Sequence, residues 1–192
     1  MSEDISSPST EPRITPVLPE TATPEQIKHM ETVEPALVRL NFVRTMLQNE
    51  PLYSVWGPLG SHLLRNSTLP FRDREILITR TAWLNASQYI FSQHVRVSKS
   101  AGLTDEEIER LKVGSQAPGW SDFDRALLEA VEQLRSQSMI SDTTWATLES
   151  KYDVHQLIEL IVVIGQYNTN SWLTNTIRVQ LDEWVAPQSV SR

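Results

Sequence analysis

An all-α fold is predicted by three features: helix-start signals recur along the chain, apolar residues between them fall at helical spacing, and no alternating segment of useful strand length competes with them. Thr23-Pro24-Glu25-Gln26 opens the series with a capping hydroxyl, proline at the first helical position and glutamine three residues after the cap. Pro35 to Gln48 sets Leu37, Leu40, Val43 and Leu47 at helical intervals, and Asn49 to Pro51 separates that stretch from a helix expected over Leu52 to Leu64. The next helix is expected over Phe71 to Leu84, with Ile76, Leu77, Arg80 and Trp83 on related turns. Asn85-Ala86-Ser87-Gln88 reads as a capping box before a helix running to about Ala101, which Gly102 closes in a left-handed conformation. Starts at Thr104, Ser121, Ser141 and Asp153 follow the same logic. The last pattern, Val154 to about Trp184, is long, and the poor helix formers from Asn168 to Asn170 predict two helices or one kinked helix.

This pattern divides the chain into an extended or disordered proline-rich arm over residues 1–22, a helical domain over 23–186 and a flexible tail over 187–192. The 192 residues, 40% hydrophobic and 21% charged, fit one globular domain with a sizeable core. A net charge of -7 argues against nucleic acid or an anionic membrane as partner, because either needs a basic face. The longest apolar run, Leu157 to Gly165, is interrupted by Glu159 and is too short to cross a bilayer. The first twenty residues lack the basic start and apolar run of a secretion signal, so a cytoplasmic location is expected and the N-x-S/T sequons at Asn66 and Asn85 read as chance.

The absence of cysteine removes thiol nucleophiles, disulfides and thiolate metal sites together. Four scattered histidines show no metal-ligand spacing, and no glycine-rich phosphate loop or nucleophile elbow is present, so neither a metal nor a cofactor is expected.

Glu75 lies ten residues before Asn85 and His94 nine after it. If the chain turns back at Asn85, a rise of ~1.5 Å per residue puts both side chains about 15 Å from the turn, at matching height. A carboxylate facing an imidazole can fix its tautomer and support proton transfer near neutral pH. The structural alternative pairs Glu75 with Arg72, Arg74 or Arg80 on its own helix and leaves His94 half-buried. Arg80, five residues after Glu75, is a candidate to hold a substrate carboxylate, with solvation as the alternative. His62 stands on a helix able to line the same pocket, and Trp56 and Trp83 are candidates to floor it, against a core or interface role.

The run Arg74-Glu75-Ile76-Leu77-Ile78, Ala82-Trp83-Leu84, Tyr89, His94-Val95-Arg96 and Ala101-Gly102-Leu103-Thr104 resembles the core motif of the carboxymuconolactone decarboxylase and alkylhydroperoxidase D-like families. The later residues Asp124 to Leu128, Gly165-Gln166-Tyr167 and Asn175 extend the resemblance over roughly residues 35–185. It implies a helical bundle of the alkylhydroperoxidase D-like type with a central hairpin, assembled as a homo-oligomer, a trimer or hexamer. In the peroxidase branch a glutamate, a C-x-x-C pair and a histidine form a proton relay to the thiols. Glu75 and His94 match the glutamate and histidine, whereas Ser87 and Ile90 stand where the cysteines would be, which excludes peroxidase and disulfide reductase chemistry. Gln88, Tyr89, Ile90 and Phe91 fill a stretch where cysteine-free relatives carry glutamates and a tryptophan, so a more apolar entrance is expected, with Ser87 and Tyr89 beside the substrate.

The resemblance thus implies a cofactor-free lyase or isomerase acting on a small organic acid, lactone or enolisable ring. Arg80 would fix a carboxylate, His94 would protonate or stabilise an enolate, and Glu75 would orient His94. The alternative is a relic of the family that binds a small apolar ligand, or only assembles, without turnover.

Overall fold

The computed structural model describes residues 11–190; positions 1–10 of the expected arm and 191–192 of the expected tail lie outside the described residues. Ten α-helices follow one another, with two short 3-10 turns and no strand among the described residues. They are α1 (Pro24–Thr32), α2 (Pro35–Val38), α3 (Asn41–Met46), α4 (Glu50–Arg65), α5 (Phe71–Leu84), α6 (Gln88–Ser100), α7 (Asp105–Val113), α8 (Asp122–Gln137), α9 (Asp142–Glu149) and α10 (Val154–Ile177). None of them is long and apolar enough to cross a membrane.

The start signals operate as their chemistry requires. Thr23 with Gln26, Thr104 with Glu107, and Asp153 with Gln156 form reciprocal capping boxes, while Ser121 and Ser141 accept the backbone N–H groups of Asp124 and Thr144. Each such cap contributes about 1 kcal/mol to its helix.

Three local expectations are corrected. The cap of α6 is Ser87, whose hydroxyl accepts from Ile90 N–H; Asn85 instead ends α5 and turns its amide to Asn168. Pro35 to Gln48 is not one helix, because Leu40 is extended and the N–H of Asn41 donates to Asp182 Oδ1 at 2.7 Å, starting α3 afresh. The last helix runs unbroken from Val154 to Ile177 and stops at Arg178, whose φ of 61° is left-handed. Asn168 and Asn170 do not break it, since their side chains bond Asn85 and Gln166 instead of competing for the helix backbone.

Helices α5 and α6 form the central hairpin and are joined by a 2.9 Å hydrogen bond between the hydroxyls of Thr79, in the middle of α5, and Ser98, in the last turn of α6. Helix α10 packs on both arms, and α8 packs on α5 from another side. Arg74 to Ala82 are therefore buried without interruption, and a helix covered on every side must find partners for each polar side chain it carries.

A second, smaller apolar cluster of Val17, Val43, Met46, Leu47 and Tyr53 joins α3 and α4 to the segment before α1. That segment, expected as part of an arm, is tied down where Arg13 N–H donates to Ile177 O at 2.8 Å and Val17 N–H to Arg44 O at 3.0 Å. At the other end, in the expected tail, Gln188 N–H donates to Ser92 Oγ at 2.9 Å. Between the small cluster and the main core lies a cavity.

Candidate active site

The cavity has a volume of about 570 Å³, the size of a pocket for a small organic molecule. Its outer wall comes from α1 to α4 and is mainly apolar, with Leu37, Phe42, Val43, Trp56 and Leu64, although His29, Glu34 and Ser61 also reach it. Its inner wall comes from α6 and α10 and carries Gln93, His94, Gln166, Tyr167 and Asn170.

Glu75 and His94 meet as the hairpin arithmetic predicts: Oε2 of the fully buried carboxylate lies 2.7 Å from Nδ1 of the imidazole. A carboxylate at Glu75 accepts from Nδ1–H, and in the neutral ring the lone pair is then on Nε2, which has no protein partner among the described residues and belongs to a ring that lines the cavity. Tyr167 fixes the ring plane from α10, edge to face, with centroids 5.0 Å apart at 88°. Glu75 Oε1 is 3.5 Å from Arg74 Nε, close enough for an ion pair, yet neither atom is hydrogen-bonded. Arg74 therefore contributes charge and leaves that carboxylate oxygen unsaturated.

A second carboxylate organises the same wall. Asp182 is buried, and its Oδ2 accepts from Tyr89 Oη at 2.7 Å and from the Gln93 amide, while Oδ1 holds the start of α3. Tyr89 Oη in turn accepts from Phe42 N–H at 3.2 Å. Burial, reinforced by the Asp182 charge, holds the Tyr89 phenol well above its ordinary pKa, so it remains a protonated donor.

The remaining candidates divide. Trp56 and Tyr89 line the cavity, Trp56 with its ring edge toward Phe42 at 6.2 Å. Arg80 does not line it, contrary to expectation: its guanidinium binds Glu132 Oε1 at 2.8 Å and the carbonyls of Leu111, Lys112 and Val113 at 2.8–3.3 Å. Burial lowers its pKa, and Glu132 opposes that shift. Trp83 packs against Phe91 at 5.2 Å and beneath Lys112, away from the cavity. Ser87 is enclosed in its cap, with its hydroxyl 2.9 Å from that of Thr174. The His62 side chain is 54% exposed, 3.9 Å from Glu159, and does not line the cavity. Of the two positions matched to cysteines, only Ile90 reaches the cavity wall.

Sequence reasoning missed Gln93, Gln166, Asn170 and Asp182 and gave Tyr167 no role. The available signal was the pair of polar residues Gln166 and Asn170, one turn apart on α10 just after its apolar run.

Residues 50–133, from the first turn of α4 through most of α8, match the model of the carboxymuconolactone decarboxylase family. No curated protein matches the chain. Solved structures share its fold. An uncharacterized peroxidase-related protein from Silicibacter sp. TM1040 superposes with a TM-score of 0.71 at 17% identity, over 94% of this chain and 96% of that one. The apo form of the debrominase Bmp8 superposes with a TM-score of 0.68 at 16% identity, over 91% and 95%. A cysteine-to-alanine variant of Bmp8 in complex with 2,3,4-tribromopyrrole gives 0.65 at 16% identity, over 92% and 95%. The chain, which has no cysteine, thus carries a segment that matches the carboxymuconolactone decarboxylase family model and has the fold of alkylhydroperoxidase D-like structures.

Proposed function

We propose that this cysteine-free protein belongs to the carboxymuconolactone decarboxylase family and is a cofactor-independent acid–base enzyme that moves a proton next to a carbonyl in a small, largely apolar molecule. The observation that carries the reading is the buried Glu75–His94 pair, with Nε2 unpartnered on a ring at the cavity wall. Glu75 acts as the positioning residue and His94 as the base and then the acid. The decarboxylase version relied on Arg80 for a carboxylate, and that guanidinium is committed to Glu132 and three carbonyls. Isomerisation or another enolate-forming step needs no such anchor and is the reading we favour; a carboxylate substrate would have to use another cation, and Arg96 lines the cavity.

A protein of this fold, Bmp8, forms a complex with a small aromatic ring, which is compatible with a ring-sized occupant here, but with no thiol in this chain a cysteine-dependent step is unavailable. A panel of enolisable ketones and lactones incubated in deuterium oxide tests the proposal. Catalysed deuterium incorporation next to the carbonyl, lost in His94→Ala, is the expected result. Ligand binding without exchange on any compound would instead favour the non-catalytic reading, to which Ile90 at the cavity wall lends its support.

The same proposal includes a homo-oligomer, a trimer or hexamer. One side of α10 leaves Val154, Ile158, Ile161, Val162 and Trp172 exposed, Trp172 by 61%, and such a stripe favours association with another copy. Sedimentation of a monomer at micromolar concentration would contradict it.

A further inference from the structure

The α10 side of the cavity holds donors, on buried residues, that the Glu75–His94 pair does not use. Tyr167 is 4% exposed and Asn170 8% exposed, and both line the cavity. Asn170 Oδ1 accepts from Gln166 Nε2 at 3.2 Å, which leaves Asn170 Nδ2 without a partner among the described residues. The Tyr167 hydroxyl is likewise without one, although its ring touches that of His94. Burial holds the Tyr167 phenol far above its ordinary pKa, the Glu75 charge pushes it further, and Arg74 offsets part of that. It is thus a donor across the working pH range. Neither donor atom is sealed inside the protein, and both belong to residues on the wall of a mainly apolar cavity, so both are open to an acceptor on a molecule that fills it.

We propose that Tyr167 Oη and Asn170 Nδ2 hold the oxygen of a carbonyl group whose neighbouring carbon faces His94 Nε2, which makes the substrate an enolisable carbonyl compound with an apolar or aromatic body. This rests on the acid–base reading of Glu75 and His94. In the step, His94 Nε2 takes the proton from the carbon next to the carbonyl. The C–H electron pair becomes the new carbon–carbon double bond, and the carbonyl π pair moves onto oxygen, where the two donors stabilise it. His94 then returns the proton to the same carbon or to a conjugated one, and the carbonyl re-forms without oxidant or reductant.

The probe is 4-nitrophenolate, a planar oxyanion, compared with 4-nitrotoluene, which has the same ring without it. Affinities and the visible spectrum are measured at pH 9 with the full-length protein. The wild type is expected to prefer the phenolate and shift its absorption to shorter wavelength. Tyr167→Phe is expected to lose about tenfold or more in phenolate affinity together with the shift, as for one hydrogen bond to a charged acceptor, and to bind 4-nitrotoluene as before. The inference is overturned if the wild type shows no phenolate preference, if Tyr167→Phe keeps it, or if that variant loses both probes equally. Should Tyr167→Phe fail to fold, Asn170→Ala decides by the same comparison, unchanged phenolate preference counting against the proposal. A His94→Ala protein that still exchanges deuterium while wild-type phenolate binding depends on Tyr167 would sink the acid–base reading and leave this oxyanion site standing.

Discussion

Glu75 and Arg80 stand five residues apart on the same buried helix, and both were candidates for the site, yet their surroundings are opposite in kind. Arg80 is saturated. It reaches Glu132 and three carbonyls at the end of α7, and Glu132 in turn accepts from Ser115 N–H at 3.0 Å and its hydroxyl at 2.6 Å. Gly114, with φ +101°, lies in this cluster because a Cβ there would collide with Arg80 and Glu132. Glu75 has one oxygen on His94 and the other without a hydrogen bond, and the imidazole it holds has a nitrogen open at the cavity wall. Burial is common to both residues. What separates them is whether the hydrogen-bonding capacity of the cluster is exhausted, since a saturated group has nothing left to offer a ligand.

Substitutions at the two clusters should therefore fail in different assays. The largest effect is expected at the open one. His94→Ala and Glu75→Gln should each lower turnover by about two to four powers of ten, the range for loss of a general acid or base, while melting close to the wild type. The double variant should match the worse single one, because a carboxylate that only orients the imidazole has nothing to act on once the ring is gone. Additive losses would mean two separate tasks.

Arg80→Met should reverse the pattern, costing about 3 kcal/mol of stability by stranding Glu132 and three carbonyls, as measured by denaturant unfolding. The surviving folded protein should keep its turnover per molecule. If turnover collapses in a protein that is as stable as the wild type, the comparison breaks and Arg80 returns to the site. Gly114→Ala probes the same cluster from the backbone and should cost roughly 1–3 kcal/mol through its positive φ and the clash. Ser87→Ala is the smallest: loss of the α6 cap should cost about 1 kcal/mol with unchanged KM, whereas a raised KM at constant stability would put the hydroxyl beside the substrate.

The sequence revealed the hairpin and its pair because the information is local. Asn85, Glu75 and His94 lie within 20 residues, on the two helices that the turn joins, so a contact between them is within reach of local reasoning, although the Thr79–Ser98 contact shows that the helices cross and that rise alone does not set every pairing. The partners that disqualify Arg80 are 31 to 52 residues away, across α7 and α8, and no local spacing announces them. The break at Leu40 is hidden for the same reason, since the carboxylate that starts α3 belongs to Asp182, 141 residues later. The α10 wall was misread for a different one. Weak helix propensity at Asn168 and Asn170 predicts a kink, but a hydrogen bond from Asn85 on another element engages Asn168, one from Gln166 a turn earlier engages Asn170, and the helix runs on through both.

The central claim, that Glu75 sets His94 as a base at the cavity wall, is tested most directly by long-range nitrogen–proton correlation spectra of the His94 imidazole. The account predicts a ring protonated at Nδ1 in the wild type at neutral to mildly alkaline pH, with an Nε2 resonance that moves when 4-nitrophenolate fills the cavity, and a redistribution toward the Nε2-protonated form in Glu75→Leu. A wild-type ring carrying its proton on Nε2, or an Nε2 signal indifferent to the ligand, would contradict it.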